Sequence, residues 1–343
     1  MLSIQVSRIL IFALTFLPSL IPAKRDGGGG GGRLLGTEYS KFSLKPFDAA
    51  EFAFSVIFAI VTALQAFKAL SNIRRRINKV PPSIAALEYS VGPIFPTCLL
   101  MATLLLTTAY VLHATYVGLV FNTSQFSGSW WSVSFIGAWY TIEFFADIFL
   151  VSSILALLLC RMKIMLGTPR RIMDVKAIAD AILVVILLAL SMGVVWLQIP
   201  YIPEAETVAE GPIVIFDLLY LAYSSFLFVA AVDIAVTSAK LNIRARKSSQ
   251  LNDHSIIRSC TFTISPLFMV YTLFQLIFPV CFDQIPEKVI NHIKQWYLVS
   301  LIIGCITRVI VINACLGSGM PPLPKENREV KEHADSENVI QAA

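Results

Sequence analysis

The stretch that decides the fold is Trp131–Cys160, WSVSFIGAWYTIEFFADIFLVSSILALLLC. It is long enough to cross a bilayer as one helix, which takes about 20 predominantly apolar residues. Two acids, Glu143 and Asp147, lie in it one helical turn apart, and Asp147 falls near its middle. An ionised carboxylate at the bilayer centre costs about 2.5–3.5 kcal/mol unless it is paired, protonated or hydrated. The sequence therefore predicts a spanning helix whose acids need partners elsewhere in the chain.

The rest of the chain has the composition of a membrane protein. Of its 343 residues 56% are hydrophobic and only 14% are charged, with a mean hydropathy of +0.73. Soluble domains average about 25% charged residues. The apolar residues form seven blocks, near residues 50–70, 91–121, 131–160, 177–199, 212–235, 259–282 and 295–316. This pattern predicts an all-α, polytopic membrane protein with a seven-transmembrane helix bundle.

The segments outside the blocks complete the predicted organisation. Residues 1–23 carry one basic residue and a short apolar run, which is typical of a signal peptide or an uncleaved signal anchor. Residues 24–46 contain six consecutive glycines and are expected to form a flexible extracellular segment. Residues 47–317 are the predicted seven-helix transmembrane domain. Residues 318–343 are expected to form a disordered cytoplasmic tail.

The distribution of Lys and Arg predicts the orientation. The segments after spans one, three and five carry 14 of these residues, whereas those after spans two, four and six carry 2. Basic segments favour the cytoplasmic side, so the N-terminus is predicted outside and the C-terminus inside. This places the protein in the secretory pathway, in the plasma membrane or an endomembrane. Orientation alone accounts for the basic loops; docking of a cytoplasmic partner or anionic lipid is the alternative, and nothing indicates nucleic acid.

One glycosylation sequon, Asn122-Thr123-Ser124, falls in a loop predicted to lie outside. Asn122 is the candidate acceptor, although it lies close to the predicted membrane boundary.

A base at matching depth is available for the acids of the third span. Arg308 lies about eleven residues into the seventh span, or about 16 Å. Asp147 lies at nearly the same depth from Phe135. Pairing of Arg308 with Asp147 or Glu143 is therefore the leading contact hypothesis. The pair would serve either as a structural anchor or as a ligand or proton site, and Asp180 and Asp233 are alternative partners of Arg308.

Other polar residues at similar depth suggest a cavity that opens outward, with ordinary polar packing between helices as the alternative. Asp217, Tyr220 and Ser224 form a stripe in the fifth span. The candidates for a ligand-binding or intramembrane polar cluster are His113, Tyr140, Glu143, Asp147, Asp217, Tyr220, Ser224 and Arg308.

Catalytic and cofactor chemistry is not indicated. Only His113 lies within a span, whereas an intramembrane zinc site needs several converging ligands. The seventh span contains no lysine for a retinal Schiff base. We therefore predict no metal, no cofactor and no catalytic residue, and an enzyme is the least favoured class.

The outline resembles the heptahelical receptors in topology. Leu159-Cys160-Arg161-Met162 stands where an Asp-Arg-Tyr triplet would occur, and the seventh span lacks an Asn-Pro-x-x-Tyr pattern. Topology alone assigns no family. Two functions follow: a receptor-like or sensor protein with a polar pocket in its outer half, binding a small ligand or lipid; or a transporter or lipid-translocating protein using Glu143, Asp147 and Arg308. A transporter requires a polar path through the inner half as well.

Overall fold

The computed structural model describes residues 46–79, 94–122, 130–166, 170–198, 210–247, 254–282 and 290–318, all of them helical. Seven helices in these ranges are long and apolar enough to cross a membrane, which confirms the all-helical class and supports an integral membrane protein. The predicted signal peptide, the glycine-rich segment before residue 46 and the tail beyond residue 318 lie outside the described residues. The orientation of the bundle stays a prediction.

The helices are longer than the apolar blocks that predicted them. Six of them are continuous: α1 Pro46–Lys79, α2 Ile94–Asn122, α3 Trp130–Leu166, α4 Arg170–Gln198, α5 Glu210–Lys247 and α7 Ile290–Ser318. The helix α6 has three consecutive parts: His254–Ser259, a π-helical turn Cys260–Ile264, and Ser265–Phe282. Long helices suit a bilayer because each one satisfies its backbone hydrogen bonds internally.

The helix that carries the two acids lies at the centre of the bundle. Helices adjacent in sequence pack together, α7 closes the arrangement against α1, and α3 contacts α2, α4 and α5. In the most apolar part of α3, 61% of the residues are buried, against 17% for α4. Polar groups on α3 are therefore held inside the protein, whereas α4 lies at the periphery.

Small residues bring the helices together. Lipid supplies little hydrophobic drive for helix association, so close packing stabilises the bundle, and small side chains permit it. Among the described residues, six alanines are completely buried: Ala102, Ala109, Ala146, Ala230, Ala231 and Ala245. Large apolar side chains on α3 and α5 fill the space between them, including Leu150, Ile154, Leu157 and Leu227.

The basic segments assigned to loops by the sequence are mostly helical, so that assignment is wrong. The helix α1 includes Arg74–Lys79, α3 includes Arg161 and Lys163, and α5 includes Lys240–Lys247. Lys and Arg are good helix formers, and their charges complement the negative C-terminal end of a helix dipole. The basic clusters therefore extend the spanning helices, and Arg161 is buried.

The irregular turn in α6 directly precedes Pro266, where the sequence suggests a kink. Within the turn, the N–H of Ser265 donates to the carbonyl oxygen of Cys260, five residues back. The Ser238 and Ser265 hydroxyls lie 2.8 Å apart, and Thr261 donates to the Ser238 carbonyl oxygen at 3.1 Å. Proline cannot donate a backbone hydrogen bond, so irregular helix geometry is expected beside it. These contacts attach the irregular part of α6 to α5.

Replacing a central leucine is expected to destabilise the bundle. Leu150→Ala removes packing from a completely buried site on α3, whereas Leu64→Ala on α1 alters a side chain that is 63% exposed. We predict that Leu150→Ala lowers the free energy of unfolding by about 2 kcal/mol or more. The free energy of unfolding is measured by titration with SDS in mixed micelles. Equal losses for the two variants would contradict the position of α3 at the centre.

Candidate functional site

A buried ion pair joins α3 to α7. Arg308 Nε donates to Asp147 Oδ1 at 2.9 Å, and Arg308 Nη2 donates to Asp147 Oδ2 at 2.8 Å. Each residue is only 3% exposed. Two parallel N–H···O bonds are the strong, geometrically specific form of an arginine–carboxylate pair. The structure thus contains the contact that depth matching predicts.

Two further side chains complete this group, which we call the Arg308 cluster: Arg308, Asp147, Glu143 and Tyr271. Arg308 Nη1 donates to Glu143 Oε1. Tyr271 of α6 donates its hydroxyl to Asp147 Oδ2 at 2.6 Å, and its ring centroid lies 4.7 Å from Arg308 Cζ. The cluster therefore connects α3, α6 and α7. The sequence did not single out Tyr271, because a neutral tyrosine in an apolar span needs no charged partner.

The charges in the Arg308 cluster do not balance. One guanidinium faces two carboxylates, which leaves one negative charge when all three groups are ionised. Asp147 is buried and bonded through both oxygens, whereas Glu143 is bonded through one oxygen and its side chain is 14% exposed. An uncompensated charge is costly at this depth. Glu143 is therefore the group of the cluster available to an external cation.

A chain of neutral hydrogen bonds extends the cluster to α5. Gln275 donates from Nε2 to the Tyr271 hydroxyl at 3.3 Å, and Tyr220 donates its hydroxyl to Gln275 Oε1 at 2.8 Å. Sequence reasoning selected Tyr220 but missed Gln275. Four of the seven helices contribute to this connected set of polar groups.

A cavity of about 90 Å³, partly open, lies against the cluster. Its lining residues are Trp139, Tyr140, Glu143, Tyr220, Gln275, Ser300, Leu301, Gly304 and Arg308. Those from α3 and α5 come from the N-terminal halves of the helices, and the one from α6 comes from its C-terminal half. On α7 they run from Ser300 to Arg308, just past the middle of the helix. The cavity therefore extends from the middle of the bundle toward the end predicted to face outside. Drug-sized ligands need about 300–1,000 Å³. This cavity has the volume of about three water molecules, so it admits a small ligand or one end of a larger one.

His113 belongs to a second polar group, between α1, α2 and α3. Its Nε2 lies 2.8 Å from Glu51 Oε1, and its Nδ1 lies 3.0 Å from the Ser55 hydroxyl. Its ring stacks on Trp139 with 3.8 Å between centroids. Since Trp139 also lines the cavity, it separates this group from the Arg308 cluster. Trp139 and Glu51 were missed by sequence reasoning.

The remaining predicted residues lie outside the cavity lining. Ser224 is buried and donates to the Tyr220 carbonyl oxygen at 2.9 Å, and Asp217 is half-buried. Asn122 is the last residue of α2, and its side chain is outside the described part of the chain, so its glycosylation stays a prediction.

The proposed contact of Asp180 and Asp233 with Arg308 is wrong. Both carboxylates bind Lys176, each with an N–O distance of 2.5 Å. Lys176 lies four residues before Asp180 on α4, where side chains on the same helix face meet. It thereby joins α4 to α5, with a different cation from the one in the Arg308 cluster.

Among the described residues, no group of three His, Cys, Asp or Glu side chains is arranged to hold a metal ion. The acids of the Arg308 cluster bind a guanidinium. No protein-family profile, curated protein or solved structure matches the chain.

Removing the cation from the Arg308 cluster is expected to be more damaging than removing one acid. Arg308→Gln leaves two carboxylates without a counter-charge and should cost about 3–5 kcal/mol of stability. Asp147→Asn leaves one carboxylate for one guanidinium and should cost less. We predict that Asp147→Asn, added to Arg308→Gln, restores part of the folded fraction measured by size-exclusion chromatography after detergent extraction.

Asp174→Asn is the matched control, because Asp174 is exposed on α4. It should neither destabilise the protein nor improve Arg308→Gln. A double variant Asp147→Asn/Arg308→Gln no better folded than Arg308→Gln alone would show that the pair does not anchor α3 to α7.

Proposed function

We propose that the protein is a receptor-like or sensor membrane protein that binds its ligand in the cavity beside the Arg308 cluster. The observation that carries this proposal is the combination of an accessible cavity and a packed floor. Glu143 and Arg308 are the charged residues that line the cavity. Further along the same helices, the centre of the bundle is filled with buried apolar side chains.

The floor is formed by the turns of α3 and α7 that follow the cluster. On α3, Leu150, Val151 and Ile154 are completely buried, and on α7 Val311 and Ile312 are at most 1% exposed. Protein interiors packed in this way have few voids larger than a water molecule. A pocket with such a floor supports binding at one end of the bundle without passage to the other.

The Arg308 cluster also offers a way for ligand binding in the cavity to affect the arrangement of the helices. Arg308 is shared between α3, through Glu143 and Asp147, and α6, through Tyr271. A ligand that engages Glu143 changes the charge that surrounds Arg308, and so changes the relative stability of helix arrangements. A ligand shifts a conformational equilibrium only by such a difference in affinity between states. The helix α3 then connects the cavity to its opposite end, where Arg161 is buried.

Transport is the second candidate function. It is favoured by a polar group beneath the cluster: Gln65 of α1 donates to the Val309 carbonyl oxygen at 2.8 Å, while its Oε1 has no hydrogen-bond partner among the described residues. A buried amide oxygen without a partner is costly unless another state or a water satisfies it. A carrier would use such groups to extend a polar route past Asp147.

Thiol labelling separates the two functions. In a background without native cysteines, Ser300→Cys places a thiol in the cavity lining, and Ser153→Cys places one in the buried layer beyond Asp147. Both are the same conservative change. A membrane-impermeant methanethiosulfonate is applied to intact cells and, separately, to inverted vesicles.

The receptor-like proposal predicts that Ser300→Cys is modified only in intact cells and that Ser153→Cys is modified in neither preparation. Modification of Ser153→Cys in inverted vesicles would support transport instead. Modification of Ser300→Cys only in inverted vesicles would contradict the predicted orientation.

A further inference from the structure

The chemistry of the cavity identifies a class of ligand, given the proposed function. Its acidic group is Glu143, which carries the excess charge of the Arg308 cluster. Arg308 is the cation at the cavity floor, and it is already bonded to Asp147 through Nε and Nη2 and to Glu143 through Nη1. An anionic ligand beside Arg308 would add a third negative charge to a cluster that already has two carboxylates for one guanidinium. A cation balances the cluster without breaking any of its bonds.

Trp139 provides an independent feature of the site. The residue is 4% exposed and lines the cavity, yet its indole Nε1 has no hydrogen-bond partner among the described residues. Its ring stacks with His113 and Tyr140, at centroid separations of 3.8 and 4.6 Å, which fixes its position. A buried donor without an acceptor costs about 1–3 kcal/mol. A ligand oxygen that accepts from this N–H removes that cost.

The size and the walls of the cavity restrict the ligand further. About 90 Å³ admits only a few non-hydrogen atoms. Tyr140, Tyr220 and Trp139 contribute aromatic surface, which favours an ammonium group over a neutral group of equal size. Leu301 and Gly304 offer no charged side chain.

We infer that the cavity binds a small ammonium ion that also carries an oxygen acceptor, as an amino alcohol does. The ammonium donates to the Glu143 carboxylate, and the oxygen accepts from Trp139 Nε1. This requires no displacement of Arg308 from Asp147. Ethanolamine is the simplest compound with both groups and serves as the probe.

Protection of a cavity thiol measures binding directly. Full-length protein carrying Ser300→Cys as its only cysteine is treated with methyl methanethiosulfonate, a small neutral reagent, in the presence of increasing ethanolamine. We expect ethanolamine to slow the modification. Ethylamine, which lacks the oxygen, is expected to require about tenfold more, and ethylene glycol and acetate are expected to give no protection.

Two variants assign the contacts. Glu143→Gln removes the acceptor of the ammonium and is expected to raise the protecting concentration of ethanolamine about tenfold or more. It leaves one carboxylate for one guanidinium, and an unchanged elution volume in size-exclusion chromatography verifies its fold. Trp139→Phe removes the N–H donor. It is expected to reduce the affinity for ethanolamine to that for ethylamine, while the affinity for ethylamine stays the same.

The inference is overturned if ethylene glycol or acetate protects as well as ethanolamine, or if ethanolamine fails to protect. It is also overturned if Trp139→Phe leaves the preference for ethanolamine over ethylamine intact, a comparison that holds even if Glu143→Gln does not fold. Failure of the ligand assignment is distinct from failure of the proposed function. In the first case the Ser153→Cys thiol stays unreactive from both sides, and in the second case it is modified from inverted vesicles.

Discussion

The pairing of the Arg308 guanidinium with two carboxylates is the interaction on which the rest of the structure depends. Helices in a bilayer gain little from hydrophobic association, so packing and polar contacts determine how they are placed and rotated. A buried guanidinium is tolerated only with its counter-charges beside it. This requirement places Asp147 of α3 and Tyr271 of α6 against Arg308 of α7.

The two acids divide the roles of anchor and site, which the sequence left as alternatives. Asp147 is bonded through both oxygens and by Tyr271, so it serves the anchor. Glu143, one turn further toward the N-terminus of α3, lines the cavity, accepts one hydrogen bond from Arg308 and is partly exposed. Because a single cation serves both acids, any event at Glu143 affects the bond that holds α3 to α7. Stability and the proposed binding function are therefore coupled through Arg308.

The sequence was sufficient for the features that depend on hydropathy and depth. Long apolar blocks predicted seven helices, and equal depth predicted the contact of Asp147 with Arg308. It was insufficient where helix rotation decides the contacts: Tyr271, Gln275 and Trp139 are neutral residues that an apolar helix tolerates facing either lipid or protein. The sequence also assigned Asp180 and Asp233 the wrong partner, because Lys176 lies closer to both carboxylates than Arg308 and binds them. The basic segments read as loops because their charge obscured their helix propensity.

The geometry of the Arg308 cluster can be measured directly by solid-state NMR in lipid bilayers. Protein labelled with ¹⁵N in arginine and ¹³C in aspartate should give a through-space correlation between guanidinium nitrogen and carboxylate carbon, because the N–O distances from Arg308 to Asp147 are 2.8 and 2.9 Å. We predict that the correlation assigned to Arg308 disappears in Asp147→Ala and persists in Asp217→Ala. A correlation that is absent from the unmodified protein, or that survives Asp147→Ala, would contradict the pairing of α3 with α7.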